Sequence, residues 1–201
     1  MNKAELRARF HGILNRTDCT DELADTFISD AITRASRYLR IPIFERVFAT
    51  VLTEAVTFLP VPSDYVEMMD VTIDNIPLER VSYSQLLKKN TAGSACFYAR
   101  FQNKFLFRPY VRDGAEVVFS YYGESAPFTS DTDTTPLSLI AEDLIIAGAM
   151  ADASEYFQRE DFQYWTAKFD RTLSDLQGQG DREAHSGGPL TVASMAEGQE
   201  Y

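Results

Sequence analysis

The chain has 201 residues, 45% of them hydrophobic and 12% aromatic, which is enough for a packed core and argues against wholesale disorder. Its 19 Lys and Arg face 30 Asp and Glu, a net charge of −11. That balance argues against a protein that grips DNA or an anionic membrane, since both need clustered cations, but it suits a surface that a duplex slides past without sticking.

The N-terminal MNKAELRARFHGIL lacks the apolar run and small-residue cleavage site of a signal peptide. Its Leu6, Phe10, Ile13 and Leu14 share one helical face, predicting a short helix over 4–14. A longer helix follows from Thr20 to Arg40, with Leu23, Phe27, Ile28, Ala31, Ile32, Ala35 and Leu39 in one stripe. Thr20 is its N-cap, Asp21 and Glu22 complement the helix dipole, and Pro42 forces the stop. A single stripe needs a partner, and the next helical pattern lies more than a hundred residues on.

After Pro42 the period shifts from 3.6 to 2. Strands are expected over 44–53 and 65–73, with a short apolar run at 55–59, a turn at Asp74-Asn75, and a returning segment at Leu78–Val81. One or two helical turns should cover 83–89. A hairpin over 96–108 follows with Asn103 at its tip, then a turn at Asp113-Gly114 and a last strand over 116–122. About six short strands make a small sandwich or barrel.

Ala126–Thr135 is a polar loop, and Thr135-Pro136 opens a helix expected to run to about Phe157. Ala147, Gly148 and Ala151 allow another helix close approach. A final helix opens at Glu160-Asp161, carries Phe162, Trp165, Phe169, Leu173 and Leu176, and is expected to stop at Gly178. The glycine-rich remainder reads as a flexible tail. Together these patterns predict an α+β fold: a helical bundle from residues 1–42 and 136–177, an inserted antiparallel β-sandwich or barrel over 43–135, and an extended tail over 178–201.

No residue set points to catalysis, a cofactor or a metal. His11 and His185, the only histidines, have no zinc spacing, and neither adjoins Cys19 or Cys96, which read as reduced thiols. Ser130–Thr134 superficially resembles a calcium loop, and Glu142 falls twelfth from Asp131, but Pro136 occupies the position that needs glycine. The aromatics between Tyr98 and Tyr122, interleaved with Arg100, Lys104, Arg108 and Arg112, allow a base-stacking sheet or, more simply, a core. In the tail, Ser186, Gly187, Gly188, Pro189, Leu190 and Val192 form a turn followed by an extended segment suited to a partner's sheet edge or groove.

In order along the chain, Asp21-Glu22-Leu23, Phe27-Ile28, RASRYLRIP (34–42), FLPVPSDYVEMMDV (58–71), Pro77-Leu78-Glu79, Val81-Ser82, the helices over 144–157 and 165–176, and SGGPL (186–190) form a series. This series resembles the head-to-tail adaptor (head completion, or connector) proteins of tailed bacteriophages, especially short-tailed ones. The resemblance spans roughly Thr17 to Leu190. It implies a structural virion protein of the neck, made in the host cytoplasm, without enzymatic activity. Such a protein forms a ring, usually twelve-fold, that docks on the portal protein and contacts tail or nozzle proteins. Genomic DNA passes through its channel without specific binding, and no membrane is involved. The tail from Ser186 to Val192 would contact the portal or a neighbouring copy. The alternative within the same region is a tail-side ring, a tail terminator or nozzle component.

Overall fold

The computed structural model describes residues 1–89 and 93–185, the last three by backbone alone. Helix α1 (Lys3–Leu14) begins with a capping box, in which Asn2 Oδ1 accepts from Glu5 N and Glu5 accepts from Asn2 N. Asn15, in the left-handed region at φ 50°, ends it. Helix α2 (Asp21–Tyr38) starts at Thr20, whose hydroxyl accepts from Leu23 N, and ends as Leu39 turns extended ahead of Pro42. Near the other end of the chain lie α4 (Pro136–Ile140), α5 (Glu142–Tyr156) and α6 (Phe162–His185). One hydrophobic cluster unites Leu6, Phe10 and Leu14 with Phe27, Ile28 and Ile32 of α2, and with Leu144, Ile145, Met150 and Phe169. Phe44, in a short 3-10 turn at Pro42–Phe44, is also buried there.

Two helix boundaries differ from expectation. The segment after Thr135 is interrupted at Ala141 (φ −144°, ψ 56°). A continuous helix would put Ile140 and Leu144 on one face, four residues apart. With the break, Leu144 is fully buried while Ile140 stays 54% exposed. The second difference is α6, which does not stop at Gly178 but continues to His185. Gly178 has no left-handed φ, so it is an ordinary helical residue. Gly180, two residues later, explains the local glycine content: a Cβ there would collide with Cγ2 of Ile41 and lie 3.2 Å from its Cβ. Glycine serves close approach, not helix termination.

Among the described residues the middle of the chain holds eight strands where about six were expected. They are β1 (Glu45–Val51), β2 (Val56–Pro60), β3 (Tyr65–Ile73), β4 (Ile76–Pro77), β5 (Glu79–Arg80), β6 (Phe97–Phe101), β7 (Lys104–Val111) and β8 (Glu116–Gly123). One sheet has the order β1-β8-β3-β4, the other β2-β7-β6-β5. The returning segment is split. Ile76–Pro77 pairs back on β3, and Glu79–Arg80 crosses to the second sheet and runs parallel to β6. Leu78, between them, is buried in the sandwich core. Helix α3 (Tyr83–Lys88) opens with a Ser82–Gln85 capping box. At the β6–β7 turn the positive φ falls on Gln102 (54°), not on Asn103.

The sandwich core stacks Val71, Ile73, Val117, Phe119 and Tyr121 of one sheet against Tyr98, Phe105, Phe107 and Val111 of the other. The expected α+β fold, with helices drawn from both ends of the chain, is the one observed. The two clusters share no residue.

Candidate assembly surfaces

The first surface lies between α2, α5 and α6. Gly148 of α5 lets both neighbours approach: a Cβ there would sit 2.8 Å from Ala31 Cβ and 3.0 Å from the Phe169 ring. Over this contact, Arg34 of α2 donates to both carboxylate oxygens of Asp152 at 2.9 Å and to the Gly148 carbonyl at 3.2 Å. Its guanidinium carbon is 4.8 Å from the Phe169 ring centroid, a cation–π contact. Burial pushes the Asp152 carboxyl upward, while the Arg34 pair pulls the other way. The pair floors a groove of about 360 Å³ whose walls include Tyr38, Phe162, Thr166 and Leu173. Tyr38 stands 68% exposed at its rim. Phe162, Phe169 and Leu173 suit an apolar or aromatic side chain, and Glu155 and Asp170 add acidic groups to the lining.

The second region is the seam where the bundle meets the sandwich. The Arg40 Nε donates to Glu67 at 2.6 Å, and its guanidinium lies 5.7 Å from the Tyr122 ring centroid. Arg37 pairs with Glu124. Gln177 of α6 accepts from Arg40 N at 2.7 Å and donates to Arg40 O at 3.3 Å. With Gly180 pressed on Ile41, these contacts hold the last turns of α6 beside the chain segment that leads into β1.

The third surface is the rim of the sandwich. Strand β1 is an edge: its seven residues pair with β8 on one side only. Val47 is 72% exposed, Val51 62% and Phe48 45%. Val47 and Val51 share the outer face, and Phe48, on the inner one, stacks on Phe119 at 6.0 Å between centroids.

The residues singled out in the sequence are distributed as follows. Ser186 to Leu190 and Val192 lie outside the described residues. The acidic loop is occupied by its own structure. Asp133 accepts from Thr129 and Ser130, which holds its carboxyl well below the usual range, the Ser130 hydroxyl contributing most. Asp131 pairs with Arg7 at 2.7 Å, and Glu142 pairs with Arg9. His11 Nε2 lies 3.1 Å from an Asp21 oxygen. Among the described residues no group of His, Cys, Asp and Glu could hold a metal ion, and no helix is long and apolar enough to cross a membrane.

The sheet aromatics are mainly core. Tyr98, Phe105 and Phe107 are buried, and Phe101 stacks on Tyr83 at 4.1 Å. Three of the four cations beside them are engaged, Arg100 over Tyr65, Lys104 over Phe58 and Arg112 on Asp74 at 2.8 Å, and Arg108 is the exception. That leaves little open platform for bases. Two features escaped the sequence pattern, the Arg34–Asp152 pair and the Gly180–Ile41 contact. Each joins residues more than a hundred positions apart, and no local periodicity marks such a pairing.

This geometry offers surfaces for association. No curated protein matches the chain. A family model described as SU10 adaptor protein matches residues 1–193, nearly the whole length. The chain therefore belongs to the SU10 adaptor protein family and is a phage adaptor protein.

Proposed function

We propose that this protein is a head-to-tail adaptor of the short-tailed type, a ring that docks on the portal and carries the DNA channel on toward the tail. The observation that carries the reading is the family match over residues 1–193. The net charge of −11 supports it, because a negative lumen repels the duplex and keeps it from sticking as it passes. The exposed edge of β1 and the groove beside Tyr38 supply surfaces for neighbours. In this reading residues 1–42 and 136–185 form a discontinuous bundle that packs against other copies and the portal. The sandwich is inserted between them and turns outward or toward the tail, and the segment Ser186–Val192 reaches a portal or neighbouring subunit. Twelve copies complete the ring. The work is mechanical, with no catalytic step.

Mass photometry of the purified protein with portal rings of the same phage tests this. Addition of a fixed multiple of 22.7 kDa to the portal mass supports the adaptor and counts its copies. Binding to tail components in place of the portal would move the protein to the tail side. A chain ending at His185 should retain its fold, because both cores lie within residues 6–169, and should lose portal binding.

A further inference from the structure

An open sheet edge presents unpaired N–H and C=O groups, and proteins blunt such edges with shortness, proline, lysine or bulges. Three of the four edges here are blunted. β4 and β5 have two residues each. β2 carries Pro60 and a register irregularity between Val56 and Phe58. β1 alone among the described edges has seven residues in unbroken register with its neighbour, and it contains neither proline nor lysine. Val47, Ala49 and Val51 make its outer face apolar beyond Glu45, and its inner face alternates Arg46, Phe48 and Thr50. An edge of this kind is completed by an added strand.

The sequence holds a segment of matching chemistry. From Ser186 to Ala196 there is no charge, and Leu190-Thr191-Val192-Ala193-Ser194 places Leu190 and Val192 on one side and small residues on the other. Ser186-Gly187-Gly188-Pro189 precedes it and spans up to about 13 Å. Position agrees with chemistry. Gln177 and Gly180 sit against Arg40 and Ile41, only a few residues ahead of Glu45, where β1 starts. His185, where α6 ends, follows Gly180 by five residues, about 7.5 Å of helix. Copies in a ring share one orientation about its axis, so donor and acceptor recur at one height around the ring.

We propose that residues 190–194 of one copy add as a strand to the β1 edge of the next copy. Donor and acceptor are different surfaces of the same chain, so the contact is head-to-tail and propagates around a ring. This rests on the reading that the copies form a ring on the portal, and it assigns the lateral contact.

The test uses the full chain assembled on portal rings. The photo-crosslinking residue p-benzoylphenylalanine replaces Val192 in an unlabelled minority of copies, mixed with an excess of ¹⁵N-labelled wild-type chain. After irradiation, crosslinks should join the unlabelled segment to ¹⁵N peptides containing Glu45–Val51. Val47→Lys in the labelled copies, a change at an exposed position, should reduce that crosslink at least about fivefold without altering the melting temperature. Crosslinks to the donor's own β1, to the portal alone, or to no site would overturn the proposal. In those cases a normal ring mass on the portal leaves the adaptor reading standing, whereas absence of any portal complex refutes both.

Discussion

Gly178 and Gly180 lie in one helix, two residues apart, and alanine at each should act in opposite directions. In an exposed helix interior, alanine is favoured over glycine by about 0.8–1.0 kcal/mol. At position 178 nothing lies within 4 Å of the new Cβ, so the full gain should be kept. At position 180 the Cβ meets Ile41, a stiff β-branched side chain that is only 5% exposed, with its Cα at 3.5 Å. Overpacking of this kind costs about 1–3 kcal/mol and outweighs the propensity gain over most of that range. The two variants should therefore differ by about 1–3 kcal/mol. For a chain of this size that is a separation of about 2–12 °C in melting temperature. Thermal unfolding followed by circular dichroism at 222 nm reads it directly. If Gly178→Ala is destabilising, the helix ends there in a left-handed cap and its continuation to His185 is wrong. If both alanines stabilise equally, the packing of α6 on Ile41 is wrong.

Arg34→Ala should destabilise by about 1–3 kcal/mol, because Asp152 loses its partner while remaining mostly covered; Asp152→Asn in the same background should recover part of that loss in urea unfolding. Tyr121, buried and donating to Asp64 at 3.0 Å, has its hydroxyl pushed up to about 12, first by burial and then by that bond. A raised folded value means this contribution is intact below pH 10 and is lost as pH rises from 10 through 12. Wild type should therefore show an alkaline destabilisation of about 1–3 kcal/mol that is reduced in Tyr121→Phe, and identical alkaline profiles would refute the assignment. Thr20→Ala should cost about 1 kcal/mol by leaving the Leu23 amide uncapped, while the neighbouring Asp21→Asn should have a smaller effect.

Local chemistry made much of the fold legible. Thr20, Pro42 and the stripe from Leu23 to Leu39 marked α2 to within two residues, because capping and proline sterics act over single bonds. The strands expected over 65–73 and 116–122 followed from alternation and from turns at Asp74-Asn75 and Asp113-Gly114, and the second runs one residue further, to Gly123. What escaped was set by distant partners. Gly180 carries the same letter as a helix stop, and only the position of Ile41 distinguishes the two. Ala141 breaks a helix that every local preference would continue, and the break turns Leu144 into the core while Ile140 stays exposed. The edge character of β1 depends on sheet order, which depends on pairings across seventy residues. The family was legible because its evidence is an ordered series, in which many weak motifs combine.

The pairing of β1 with β8 also bears on how the chain finds its fold. Glu45 lies opposite Tyr122, so the excursion that begins after α2 returns to its starting point before α4. Bringing α2 to α4 unaided would close a loop of about 97 residues. Once the sandwich has formed, the flexible remainder is about 18 residues, and the closure entropy falls by about 1.5 kcal/mol. The order of events that this favours is strands first, bundle second. A variant that slows sandwich formation should then delay burial of Phe27 and Met150, residues it never touches.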